Sequence, residues 1–224
     1  MLKTASLDEI YNHIISNAHL DEVVVEKEPA LLKGLSFVQM DKATQLNIMP
    51  SIEDLNDKSR DKARFMLDVC MFNLLQNGRQ RDPDTVVAKD VHLSTLMKTA
   101  FRSRYLVVLA DYLKREKHGV MLTIKNVPAN VHATRISDML RYLIPLHVQV
   151  AMQISQENIL GQDLTRIAVK YFVLSVADLT DINDSLSRDL TMERLAKLPA
   201  HDKQIIVRNI PEVIEEEDAE AFYL

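Results

Sequence analysis

Leu164-Thr165-Arg166-Ile167-Ala168-Val169-Lys170-Tyr171-Phe172-Val173-Leu174-Ser175-Val176-Ala177-Asp178-Leu179 is the most apolar stretch of the chain. Its length exceeds that of a typical strand, so it reads as a buried central helix. Upstream, Thr134 to Ile144 is amphipathic through Ile136, Met139, Leu140 and Leu143 and stops before Pro145, as a helix does. His147 to Ile154 is ambiguous between strand and helix. Val120-Met121-Leu122-Thr123-Ile124 alternates and is β-branched, which predicts a short strand ended by Asn126-Val127-Pro128. Downstream, Thr180 to Leu198 and Asn209 to Ala221 read as further helices.

The N-terminal half continues the helical pattern. From Ser59 to Asn77, Ala63, Phe65, Met66, Val69, Cys70, Phe72 and Leu74 recur at helical spacing, and Asn77-Gly78 offers a left-handed stop. Arg79-Gln80-Arg81-Asp82-Pro83-Asp84 is a polar linker. A second block, Asp90 to His118, reads as one long helix or two joined near Arg102-Ser103, with Gly119 as its stop. Ser6 and Glu9 form a capping box for a first helix, and Leu20 to Glu26 reads as a strand. Glu28-Pro29 then either restarts a helix or precedes a second strand over Leu31 to Val38. The sequence leaves both open.

At 224 residues, with 47% hydrophobic and 26% charged residues, the chain is globular rather than disordered. Only 4 Gly and no Trp are present. Hairpin turns draw on Gly, so this count argues against a many-stranded sandwich or barrel. The expected fold is therefore a mainly α, multi-helix protein with a minor β component. Two regions are expected, 1–85 with a short β segment and 86–224 with one or more short strands and an acidic tail. The alternative is an α+β protein with a ferredoxin-like C-terminal half, drawn as βαββαβ from Val120 to Ile210.

A net charge of -5 and a pI near 5.8 lack the basic excess that nucleic-acid binding usually requires. Lys98, Arg102, Arg104, Lys114, Arg115 and Lys117 read as the solvated side of a helix. The first residues lack the charged start and apolar core of a signal peptide, and no run approaches the roughly 20 apolar residues that span a bilayer. A reducing cytoplasm is the expected compartment, with no membrane contact. Cys70 is the single cysteine and reads as a packed small hydrophobe.

Catalytic signatures are missing from the local sequence. His13, His19, His92, His118, His132, His147 and His201 form no His-x-x-x-His pair, and the four glycines are isolated, so neither a zinc hydrolase nor a phosphate loop can be assembled. Asp181 and Asp184 suit a helix start. An enzyme of unrecognised type would draw on His132, Asp138 and Arg141. No metal or cofactor is expected. Leu122-Thr123-Ile124-Lys125-Asn126-Val127-Pro128 and Ile206-Val207-Arg208-Asn209-Ile210-Pro211 look alike, and both resemble the first strand of an RNA-recognition module. Arg166 to Phe172 lacks the Gly and aromatic alternation that such a module's third strand needs for base stacking.

The terminal Glu215, Glu216, Glu217 and Asp218 precede Phe222, Tyr223 and Leu224, a pattern suited to docking in a partner's groove. Three further passages carry a resemblance. Val23 to Val25 with Leu35 to Phe37, then Asp61 to Cys70, then Leu96 to Leu106, are similar in series to tail assembly chaperones and baseplate hub assembly proteins of T4-like bacteriophages. Leu195-Ala196-Lys197-Leu198-Pro199-Ala200-His201-Asp202 resembles a helix opening of the hub group. The resemblance implies a non-enzymatic structural or assembly protein. It would bind other tail or baseplate proteins, with self-association compatible and small molecules not expected, in the host cytoplasm or the virion. The alternative function is a nucleic-acid-associated regulator using the C-terminal half.

Overall fold

Tyr171–Ser175 is a strand in which all five residues are buried, preceded by a 3-10 turn over Leu164–Arg166. The expected central helix is thus corrected. Burial on both faces removes the alternation that marks a half-exposed strand, and the apolar run that remains looks helical.

The computed structural model describes residues 9, 12, 14, 16, 18–23, 25–27, 32, 34–76, 82–175 and 185–208. Their strands are β1 (Leu20–Val23), β2 (Val25–Lys27), β3 (Leu35–Met40), β4 (Val86–His92), β5 (Gly119–Lys125), β6 (Gln149–Gln153), β7 (Tyr171–Ser175) and β8 (Gln204–Arg208). The helices are α1 (Lys42–Glu53), α2 (Asp57–Gln76), α3 (Leu93–Met97), α4 (Thr99–Arg115), α5 (Ala133–Leu140), α6 (Gln156–Gly161) and α7 (Ser185–Lys197).

All strands belong to one sheet, ordered β1-β3-β4-β5-β6-β7-β8-β2. From β3 to β8 the neighbours run parallel, while β1 lies antiparallel to β3 and β2 antiparallel to β8. β1, which ends at Val23, borders one end of the parallel set, and β2, which begins at Val25, borders the other. The sheet therefore curls round on itself as a seven-stave, TIM-barrel-like structure. Residues 85 and 86 stand at the start of β4, which pairs with β3 in the same sheet.

A mainly α fold is overturned by this sheet, and so is the ferredoxin-like alternative, which needs antiparallel neighbours where β5 to β8 are parallel. The glycine argument fails for a physical reason. Parallel strands are joined by helical crossovers rather than hairpins, so this barrel needs few of the tight turns that consume Gly. The long block from Asp90 to His118 is likewise divided. Its start belongs to β4, and extended backbone at Lys98 separates α3 from α4.

Side chains on the inward face of the strands fill the barrel with Leu35, Phe37, Ala88, Met121, Ala151, Val173 and Ile206. Outward residues such as Val87, Val91, Leu122, Phe172 and Leu174 pack under the helices. There α2 and α4 bring Phe72 against Tyr105 and Tyr112, with ring centroids 5.5 and 5.1 Å apart. A smaller cluster joins α1 to α2 through Ile48, Ile52, Leu67 and Met71 and includes the buried, free Cys70. Burial pushes the Cys70 thiol up to about 11, against a smaller opposing pull from Lys89, so it stays protonated.

Candidate functional site at the barrel mouth

Successive inward positions on a strand are two residues apart, so each inward column can be followed beyond its apolar layer. Phe37 leads to Gln39, Ala88 to Asp90, Met121 to Thr123 and Lys125, Ala151 to Gln153, Val173 to Ser175, and Ile206 to Arg208. The interior thus changes from apolar to polar at the C-terminal ends of the parallel strands. That end is where barrels of this kind place their ligand sites. A cleft of about 430 Å³ opens there, lined by Gln39, Asp90, Lys125, Gln153 and Arg208, with Asn126, Ser155 and Asn158 on its rim. A recess of about 90 Å³ shares Gln39, Asp90 and Lys125 and reaches His92 and Asp68.

Arg208 dominates the floor and is 3% exposed. Its Nη1 and Nη2 donate to the two Asp90 oxygens at 3.0 and 3.2 Å, and Nη2 also donates to Gln153 Oε1 at 3.4 Å. The guanidinium lies 4.7 Å from the centroid of the Phe37 ring, and its Nε is buried without a partner. Burial raises the Asp90 carboxyl, but Arg208 and Lys125 outweigh it and hold the group below its ordinary value, as a carboxylate. Lys125 is half-buried and has no ion-pair or hydrogen-bond partner among the described residues. Two cations against one carboxylate leave the mouth locally positive on an acidic protein.

A second, buried network supports the wall. Asp68, on α2, accepts from the His92 backbone N–H at 3.0 Å, from His92 Nδ1 at 2.8 Å and from Thr95 Oγ1. Burial raises the Asp68 carboxyl, yet His92 and Lys89 hold it below its ordinary value. Burial, opposed by Asp68, leaves His92 lowered. With Asp68 ionised, His92 Nδ1 carries the proton in the shared bond. Lys89 points outward from β4, where its Nζ donates to the Asp68 carbonyl at 2.6 Å and lies 4.1 Å from the Phe72 ring centroid.

The rim is pinned at Asn126. Its φ of 56° is the left-handed conformation that Asn tolerates best after Gly, and it turns the chain off β5. Asn158 Nδ2 then donates to the Val127 carbonyl at 2.9 Å, tying the β5 loop to the start of α6.

The donor set does not suit a divalent cation. Asp90 is gripped by Arg208 and Asp68 by His92 and Thr95, and no group of three or more His, Cys, Asp or Glu converges among the described residues. Such ions need several oxygen ligands directed at one point.

No family model and no curated protein matches the chain. Solved structures do. The chain is similar to a FimX EAL domain at 15% identity and a TM-score of 0.57, covering 96% of this chain and 88% of that one. The FimX EAL domain from Pseudomonas aeruginosa bound to c-di-GMP matches at 14% identity and 0.57, over 95% and 88%. The PaMucR phosphodiesterase in complex with c-di-GMP matches at 13% identity and 0.52, over 90% and 85%. At these identities the likeness establishes a shared fold, that of EAL domains.

These neighbours overturn the bacteriophage tail and baseplate resemblance and the structural or assembly role built on it. They also overturn the exclusion of enzymes and of small-molecule partners, since one is a phosphodiesterase and two hold c-di-GMP. The RNA-recognition alternative fails with the ferredoxin-like fold. Among the described residues, no helix is long and apolar enough to cross a membrane.

His132, Asp138 and Arg141 do line one shallow depression, with Arg141 3.4 Å from Asp138, but all three are exposed. Asp181, Asp184 and the tail from Glu215 to Leu224 lie outside the described residues. One sequence signal did touch the mouth. The two look-alike segments end β5 and β8, and their shared basic residue is Lys125 in one and Arg208 in the other.

Proposed function

We propose that the barrel mouth binds a cyclic nucleotide and that the chain acts in cyclic-nucleotide signalling, with a cyclic dinucleotide as the best-fitting ligand. The observation that carries this reading is the unpaired Lys125 beside the Arg208–Asp90 pair, at the polar end of an otherwise apolar barrel. Lys125 donates to a phosphodiester oxygen, while the local positive field draws the anion in against a net charge of -5. Gln39, Gln153 and Asn126 offer amide donors and acceptors that match the edges of nucleobases. The similarity to EAL domains that hold c-di-GMP supports the same ligand class. The reading puts the protein in a reducing cytoplasm, where Cys70 stays a free thiol.

Titration calorimetry with c-di-GMP and cAMP tests it. Saturable binding of c-di-GMP is expected, weakened about tenfold by Lys125→Met, the effect of losing one charge-assisted contact. Binding that Lys125→Met leaves unchanged, or no binding at all, would refute the assignment to this mouth.

A further inference from the structure

We infer that this mouth holds its phosphodiester without a divalent cation, because Arg208 supplies the fixed positive charge and occupies both oxygens of Asp90, the carboxylate a metal would need. The inference rests on the proposed function and goes beyond it by naming what neutralises the ligand. Asp90 is the one carboxylate lining the cleft, and both of its oxygens are engaged by the Arg208 fork at 3.0 and 3.2 Å. A metal at that carboxylate would have to displace a guanidinium that is 3% exposed and backed by the Phe37 ring. The other inward positions of the parallel strands at this level are amide, hydroxyl or ammonium groups (Gln39, Thr123, Lys125, Gln153 and Ser175), while β1 adds the exposed Asp21 opposite Gln39. Asp21 lies outside the cleft lining, so no group lining the cleft besides Asp90 adds the anionic oxygen that a hard cation requires.

The guanidinium is also not saturated. Nε is buried and lacks a partner, an N–H donor left over at the floor of the cleft. A buried donor of this kind is costly unless something accepts from it, so the guanidinium keeps unused donor capacity beside the cleft. Arg208 thus lines the mouth as a permanent cation, and Lys125, which lines the same cleft, is free to meet the incoming phosphate.

Two measurements on the full chain separate this from a metal-assisted site. First, c-di-GMP affinity is measured in excess EDTA and again in millimolar Mg²⁺ or Mn²⁺. Dissociation constants within about threefold of one another are expected. A loss of about tenfold or more on chelation, restored by either ion, overturns the inference and leaves the proposed function standing. Absence of binding in every buffer defeats the proposed function itself. Second, Asp90→Asn removes the counter-charge of Arg208 at nearly constant shape, so a dianionic ligand is expected to bind at least as tightly as to the wild type, with a steeper dependence on salt. Weaker binding to Asp90→Asn, in protein that is folded by circular dichroism at the assay temperature, would mark Asp90 as a ligand-side or metal-side carboxylate and sink the idea.

Discussion

Arg208 at the end of β8 grips Asp90 of β4 through two parallel hydrogen bonds of 3.0 and 3.2 Å, across the interior of the barrel. The two strands are not neighbours in the sheet, so the pair is a tie between distant parts of the chain as well as the floor of the mouth. Fixed fork geometry and burial make it a strong contact, and one that is costly to break from one side.

Removing only the cation strands a buried carboxylate. Arg208→Met is expected to cost about 3–5 kcal/mol in urea unfolding, and combining it with Asp90→Leu should recover a large part of that loss. Additive effects in this cycle would mean that the two side chains are not coupled in solution.

Lys125 makes no side-chain hydrogen bond or ion pair among the described residues, and its pull on Asp90 is offset by its repulsion of Lys89 and His92. Lys125→Met should change unfolding stability by no more than about 0.5 kcal/mol while weakening ligand binding. A large destabilisation would assign it a structural role instead.

Burial lowers the Lys89 ammonium from 10.5 to about 8, against partial opposition from Asp68 and Asp90. Below about pH 8 the folded and unfolded chains both hold this proton, and the folded state bears the cost of a buried charge. Between about 8 and 10.5 the unfolded chain binds a proton that the native one has lost, so this group makes stability rise with pH, by about 3 kcal/mol over the full span. Lys89→Met should therefore be most favourable relative to the wild type near neutral pH, with its advantage shrinking towards pH 10. A difference that is flat over that range would show that Lys89 titrates normally.

The Asp68 carboxyl works with the opposite sign. It is held below its ordinary 3.8 by His92 and Lys89 in spite of burial, so its contribution is complete above that value and disappears as pH falls through the lower, folded one. Asp68→Asn should cost about 1–3 kcal/mol at neutral pH and flatten the acid limb of the stability curve. An unchanged acid limb would exclude Asp68 as a source of acid lability.

Several elements were legible before the fold was known. The strand expected at Val120 to Ile124 is β5, the helix expected at Ser59 to Asn77 is α2, and the open choice after Glu28 resolves to a strand at Leu35–Met40. Those segments carry their own signals, in alternation, a capped 3.6-residue period, or β-branched residues. The mouth left almost no trace because its members come from five strands far apart in sequence, each contributing one polar residue to an apolar run. Asp90 even reads as the start of a helix. Only the repeated basic-Asn-aliphatic-Pro ending, at Lys125 and at Arg208, hinted that two strand ends share a task.

From the sequence alone came a globular chain without local catalytic motifs, with a single buried-type cysteine, and with the positions of its strongest helix and one strand, because those properties depend on neighbours along the chain. Tertiary structure decided that Tyr171 to Ser175 is a strand, that β1 and β2 close a barrel, and that Asp90 meets Arg208. Burial on both faces erases strand periodicity, and pairing across 118 positions is set by how the sheet curls.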